Sequence, residues 1–150
     1  MATIEKHVTR EVVALDGATP CAEAARIMAE LQIGSVAVQE GTRIVGLVTE
    51  RDLVVRVLAE GVPADRPIRD AMRTDVPSIP ASTTDLSCLA LMRDHQTRHL
   101  LVGEGQQVVG IVSMRDLIRL MLDEKEWLIG QLQVFIDGHD GPHAGAGLTG

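Results

Sequence analysis

The sequence predicts an α/β (α+β) fold: two tandem copies of one β-α-β-β-α unit joined as a pseudo-dimer, followed by a helical extension. Three observations predict it. The first is an internal repeat. Shifted by sixty-four residues, the segment Val38 to Leu53 falls without a gap on Val102 to Leu117, and nine of the sixteen pairs are identical. Ile44/Val108, Leu47/Ile111 and Thr49/Ser113 differ only conservatively. Duplication at one fixed offset means two copies of one supersecondary unit, each with an apolar face that the other can cover. It also predicts a cleft between the copies with two equivalent sets of polar groups. The second observation is composition: 45% of residues are apolar, with one Trp, one Phe and no Tyr. Aliphatic runs of this kind suit strands covered on a face. The third is the order in which strand-like and helical apolar patterns follow one another, the same in both copies.

The elements of the first copy follow in order. Val12-Val13-Ala14-Leu15 reads as a short extended piece before a turn at Asp16-Gly17. Thr19 is placed to cap a helix with Pro20 at its first position, where a missing N–H is harmless. Ala24, Ile27, Met28 and Leu31 then recur at three- and four-residue spacing, a helix ending before Gly34. Val36–Gln39 and Ile44–Val48 are strands around the turn residues Glu40-Gly41-Thr42. Thr49 opens a second helix through Leu58, stopped by Gly61-Val62-Pro63.

The second copy repeats the order. Residues 67–72 read as a connecting helical turn and 76–79 as extended. Ser82-Thr83-Thr84-Asp85 reads as a capping box before a helix carrying Leu86, Leu89, Ala90 and Met92. Leu100–Val102 and Val108–Val112 are strands, and Ser113 starts the last helix. The final part of that helix has no counterpart in the first copy; it bears Leu128, Leu132, Phe135 and Ile136 at helical spacing and holds both aromatics of the chain, Trp127 and Phe135. Such a stripe must be covered by the chain's own core or by a second chain. The expected division is residues 1–63 and 64–122 for the two copies, 123–137 for the helical extension and 138–150 for a Gly-rich flexible tail.

Composition also excludes classes of function. A formal charge of −7, from 14 basic and 21 acidic residues, argues against nucleic-acid binding, which rests on clustered Lys and Arg. No stretch approaches the roughly 20 apolar residues of a membrane span. The first residues lack the apolar region of a signal peptide, so a cytoplasmic location is expected. Cys21 and Cys88 sit in apolar helical patterns outside the repeat register and read as small buried hydrophobes. His95 and His99 straddle the point where helix gives way to strand, so no zinc pair is expected. None is expected at His139 and His143 either.

The stretch that carries chemistry is the end of the repeat: strand, then Thr49-Glu50-Arg51-Asp52 or Ser113-Met114-Arg115-Asp116, then helix. A hydroxyl and free N–H groups at a helix N-terminus favour anionic oxygens. An aspartate three residues on can accept two hydrogen bonds from a ribose cis-diol. Gly46 and Gly110 permit close backbone approach. The same four residues also spell an ordinary capping box. Two features favour a site: the pattern occurs in both copies after the same strand end, and Arg51 and Arg115 recur although a cap does not need them.

Gly46-Leu47-Val48-Thr49-Glu50-Arg51-Asp52 and Gly110-Ile111-Val112-Ser113-Met114-Arg115-Asp116 resemble the Gly-h-x-Thr/Ser-x-x-Asp signature of CBS domains, h being apolar. The tandem is similar to a Bateman module over roughly residues 8–122. The resemblance implies packed sheets and two clefts about a pseudo-two-fold axis, binding AMP, ADP, ATP, S-adenosylmethionine or NAD. It implies that Asp52 and Asp116 hold ribose diols, that Thr49 and Ser113 contact the phosphate or ribose, and that Leu47 and Ile111 lie against adenine. It further implies that Ile33-Gly34 line the Asp116 cleft and Thr97-Arg98 the Asp52 cleft. Val12-Val13 and Val76-Pro77 would touch adenine, and Arg98-His99 would reach ligand phosphates.

The function so implied is a stand-alone nucleotide sensor, a homodimer that signals to an unknown protein effector. The alternative is a ligand-free dimeric scaffold in which the aspartates are caps. No Ser/His/Asp or Cys/His pairing lies in register for catalysis, so an enzyme is not expected, and no cofactor is required.

Overall fold

The computed structural model describes residues 2–139. The first unit runs β1 (Ala14–Asp16), α1 (Cys21–Leu31), β2 (Ser35–Glu40), β3 (Arg43–Thr49) and α2 (Glu50–Leu53), which continues as a π-helical turn over Val54–Leu58. The second runs β4 (Ser78–Ile79), α3 (Asp85–Asp94), β5 (His99–Glu104), β6 (Gln107–Ser113) and α4 (Met114–His139). Each unit holds a three-stranded sheet, with β1 parallel to β2 and β2 antiparallel to β3, and β4, β5 and β6 likewise. The repeat register survives in detail. Bulges interrupt the hairpins at Val38/Gln39 and at Val102/Gly103, sixty-four residues apart. Gly41 and Gly105 both turn their hairpins at φ +62°, a conformation open to glycine at little cost.

Several boundaries differ from the sequence expectation, for local reasons. The residue at the N-cap of α1 is Pro20, and no side chain caps it; Thr19 is not the cap. Before α3 the cap is Thr84, whose hydroxyl accepts from the Ser87 N–H at 3.3 Å. Asp85 accepts instead from Leu86 N, so the expected box from Ser82 to Asp85 does not form. The extended pieces before the helices pair only over Ala14–Asp16 and Ser78–Ile79. A glutamine in the left-handed region follows each helix, Gln32 (φ 54°) as the C-cap of α1 and Gln96 (φ 49°) just past the α3 cap His95. The next N–H then reaches back to the helix, Ile33 to Met28 O and Thr97 to Met92 O, each at 3.0 Å. The last helix continues through His139; the flexible tail expected from residue 138 otherwise lies outside the described residues.

The feature that decides the architecture is a pair of crossing arms. The segment before the first unit bonds to the second: Thr9 and Ile111 exchange two backbone hydrogen bonds, at 2.9 and 3.0 Å. The segment before the second unit bonds to the first in the same way, Arg73 with Leu47 at 2.8 and 2.9 Å. Ile4 is fully buried in the core of the second unit, among Cys88, Met92, Leu100 and Leu117. Ile68 is fully buried in the core of the first, among Met28, Val36, Val48 and Val57. Each unit's core is thus completed by the arm that precedes the other. A third cluster, Leu47, Val76 and Leu101 with Ile44, Val108 and Ile111 packed on it, joins the two sheets.

Candidate functional site

Both Thr/Ser-x-x-Asp segments sit where a strand becomes a helix, and both close on themselves. Asp52 Oδ2 accepts from Thr49 N at 2.9 Å and from Thr49 Oγ1 at 2.8 Å, while Asp52 N donates to Thr49 Oγ1 at 3.2 Å. In the second unit Asp116 Oδ2 accepts from Ser113 N and Ser113 Oγ, both at 2.8 Å, and Asp116 N donates to Ser113 Oγ at 3.2 Å. These are capping boxes. Each uses one carboxylate oxygen, Oδ2, and leaves Oδ1 outside the cap. Arg51 and Arg115 on the same first turns are exposed.

The strand pairing sets what stands opposite. Thr49 lies across from Ser35, and Ser113 across from His99. The His99 imidazole crosses to the other unit: its Nε2 lies 3.7 Å from where a side chain on Gly34 would begin, with the Glu50 carboxyl 3.9 Å from the same point. Burial holds the imidazole below its usual pKa, opposed by the charges of Asp116, Glu50 and Asp52, with Arg98 adding to the lowering. Its Nδ1 is the buried side-chain polar atom that lacks a hydrogen-bond partner among the described residues. Thr97, itself buried, holds the strand start by accepting from His99 N and donating to His99 O. Gly34, Glu50 and His99 therefore meet at the junction of the two units, where the charges of Asp116 and Asp52 are also felt. His95 ends α3 and His99 opens β5, so the two do not share a helical face. No cluster of three or more metal-ligating residues occurs among the described residues.

Other predicted residues are engaged elsewhere. The backbone N–H and C=O of Leu47 and Ile111 pair with the crossing arms; Leu47 is fully buried and Ile111 half-buried. Gly46 and Gly110 do meet close backbone, but it is that of the arms. A side chain on Gly46 would begin 2.7 Å from Arg73 O, and one on Gly110 would begin 2.9 Å from Thr9 O. Val13 O and Pro77 O accept from Ala37 and Leu101 in their own sheets. Val12 and Ile33 are half-buried, Val76 is part of the central cluster and Arg98 is exposed. Val76, Gly46, Arg73 and Ser78 line a cleft of about 330 Å³ beside the second hairpin turn. A second cleft of about 320 Å³ is lined by Cys21, Arg56, Glu60, Arg66 and Asp70. Neither is lined by Asp52 or Asp116.

Two arginines escaped the sequence reading. The Arg56 guanidinium donates to Met72 O at 3.0 Å and Ala71 O at 3.4 Å, with Nε 3.9 Å from Asp52 Oδ1. Its counterpart in the second unit is the buried Leu120, so only Asp52 has this partner. Arg73 donates to Gln96 O at 2.9 Å and His95 O at 2.8 Å, closing the end of α3. It also bonds Asp75, which holds that carboxyl below its usual range. The departures from repeat symmetry, Arg56 against Leu120 and Arg73 against Thr9, are the signal that would have found both.

A CBS domain model matches the chain twice, over residues 4–59 and 68–123. The chain belongs to the CBS domain family. The matched stretches begin at Ile4 and Ile68, the two residues whose arms cross. An uncharacterised 17.7 kDa protein of Acidianus ambivalens is 35% identical over 126 residues, 82% of this chain and 76% of that one. Among solved structures, a conserved protein of Pyrococcus horikoshii superposes with TM-score 0.75 at 29% identity, covering 80% of this chain and 92% of that one. A CBS-domain containing protein of Agrobacterium tumefaciens also gives 0.75, at 26% identity, with 80% and 99% covered. No helix among the described residues is long and apolar enough to cross a membrane.

Proposed function

We propose that this CBS pair is a regulatory module that binds an adenosyl ligand (AMP, ADP, ATP, S-adenosylmethionine or NAD) at the junction of its two units. Occupancy would pass to a protein effector as a change in pair geometry or in self-association. The observation that carries the reading is the orphaned His99 Nδ1, buried opposite Ser113 on a ring that meets Gly34 and Glu50 of the other unit. A buried polar atom without a partner costs about 1–3 kcal/mol, and a ligand group is one way to relieve it. Asp116 Oδ1, outside its cap, and Asp52 Oδ1, which also has Arg56 Nε at 3.9 Å, would be the groups that meet ribose hydroxyls. Signalling requires differential affinity of the ligand for two states of the pair. No step in this reading is catalytic.

The capping geometry favours a second reading, a ligand-free dimeric scaffold, because each aspartate already has a structural task. Calorimetry with AMP, ATP, S-adenosylmethionine and NADH separates the two. The sensor reading expects binding, and stabilisation of about 2.7 kcal/mol at a hundred-fold excess over Kd. Asp52→Ala and Asp116→Ala abolish that response under the sensor reading. Under the scaffold reading they cost about 0.5–2 kcal/mol each, as lost caps, with no ligand response to lose. No binding of any of the four at millimolar concentration removes the sensor.

Self-association belongs to the same proposal. Val54 and Leu58 on the first unit, and Ile118 and Leu122 at the same register on the second, are all more than half exposed. A patch with internal two-fold symmetry suits a homodimer, whose interface is self-complementary.

A further inference from the structure

The part of α4 beyond residue 123 lies outside both family matches, has no counterpart in the first unit, and is exposed along its described length. We infer that this extension is an antiparallel helix-pairing element, and that its occupant is the same segment of a second copy of the chain. The inference rests on the self-association part of the proposal above and is independent of nucleotide binding.

Leu128, Ile129, Leu132 and Ile136 each leave more than half of their surface exposed. At 3.6 residues per turn they fall within an arc of about 120°, a single stripe on one side of the helix. With the stem of Lys125 the stripe offers roughly 500 Å², so two copies would bury roughly 1,000 Å², the threshold for a specific interface. Smaller apolar partners would leave part of it wet.

Charge sets the direction. The extension opens with Asp123, Glu124, Lys125 and Glu126, and no charge follows until Asp137. A parallel pair would lay the two acidic starts side by side. An antiparallel pair moves the two acidic starts to opposite ends and opposes the helix dipoles. Overlap of residues 123–137 then centres on Gly130, a mid-helix glycine with nothing of its own chain near its missing side chain. Lys125, the one cation, falls within the apolar arc. In this alignment it lies level with the second copy's position 135, inside the seam, and a lone lysine in such a seam fixes register.

Spin labels on the full chain test this, since native Cys21 and Cys88 are buried. Gln131→Cys, near the centre, should give a short distance between copies. Asp137→Cys should give a clearly longer one, its two positions being about 21 Å apart along the axis (14 residues at 1.5 Å). Leu128→Glu with Leu132→Glu should turn a dimer into a monomer by light scattering with the helix content of the module kept. Equal short distances mean a parallel pair and overturn the inference. A dimer with long distances at both labels overturns it while leaving self-association standing. A wild-type monomer overturns both, and nucleotide calorimetry is unaffected in every case.

Discussion

Gly46 and Gly110 are the positions where adding one methyl group should hurt most. In Gly46→Ala the new Cβ would sit 2.7 Å from Arg73 O and 2.8 Å from Met72 Sδ. In Gly110→Ala it would sit 2.9 Å from Thr9 O and closer still to a Val8 methyl. A thioether can swing aside, but a carbonyl oxygen moves only with its backbone, so the arm must shift. Each arm is held by two hydrogen bonds, at 2.8–3.0 Å, to the residue following the glycine. Losing their geometry costs about 1 kcal/mol apiece, and overpacking adds about 1–3 kcal/mol. Against this, Gly→Ala stiffens the unfolded chain and recovers about 0.4–1 kcal/mol. The net expectation is a loss of about 2–4 kcal/mol for Gly46→Ala and for Gly110→Ala, read by urea denaturation. Gly34→Ala is the control, because its nearest neighbours lie at 3.7–3.9 Å, ordinary contact distance; it should change stability by less than about 1 kcal/mol. Amide exchange at Thr9 and Ile111 should quicken in Gly110→Ala before global unfolding does. If all three variants fall within about 1 kcal/mol of one another, the arms do not hold the units together and the reasoning fails.

Arg56→Leu copies the residue at the matching place in the second unit and releases Ala71 O and Met72 O. Because the arginine is partly exposed, we expect a modest loss of about 1 kcal/mol, and unchanged thermal melting would refute the contact's role. His99 has a folded pKa below its ordinary 6.5, so the unfolded chain takes up a proton first as pH falls. Stability is therefore fully present above about pH 6.5 and declines below it. A melting curve series from pH 7.5 to 5 should be flatter in His99→Gln, and identical slopes would count against a buried neutral ring. Burial, then the charge of Asp85, pushes the Cys88 thiol up to about 11 from 9.0. Iodoacetamide at pH 8 should label it far more slowly in the native protein than in urea, and stability should fall as pH rises from 9 towards 11. Rapid native labelling would show that the thiol is not enclosed.

Much was legible because the chain states its design twice. Val38–Leu53 and Val102–Leu117 set the hairpins, their glycine turns and the helices that follow, since strand alternation and turn chemistry are local. Val36, Val38, Val48, Val102 and Val112 are buried as their patterning required. Cap identity was less legible: Thr19, Thr84 and Asp85 stand beside other candidates of similar chemistry, and packing chooses among them. The pairing of Thr49 with Asp52, and of Ser113 with Asp116, was written in their spacing.

What the sequence determined by itself was whatever depends on neighbours within a few residues: two like units, their elements, and a Thr/Ser–Asp couple at each helix start. Only the tertiary structure decided which unit each arm completes, with Ile4 serving the second core and Ile68 the first. It alone brought His99 of one unit to Gly34 and Glu50 of the other. Contacts between residues some sixty positions apart carry no local periodicity. They are fixed by which exposed apolar face lies nearest once the units have formed, and only three-dimensional packing expresses that.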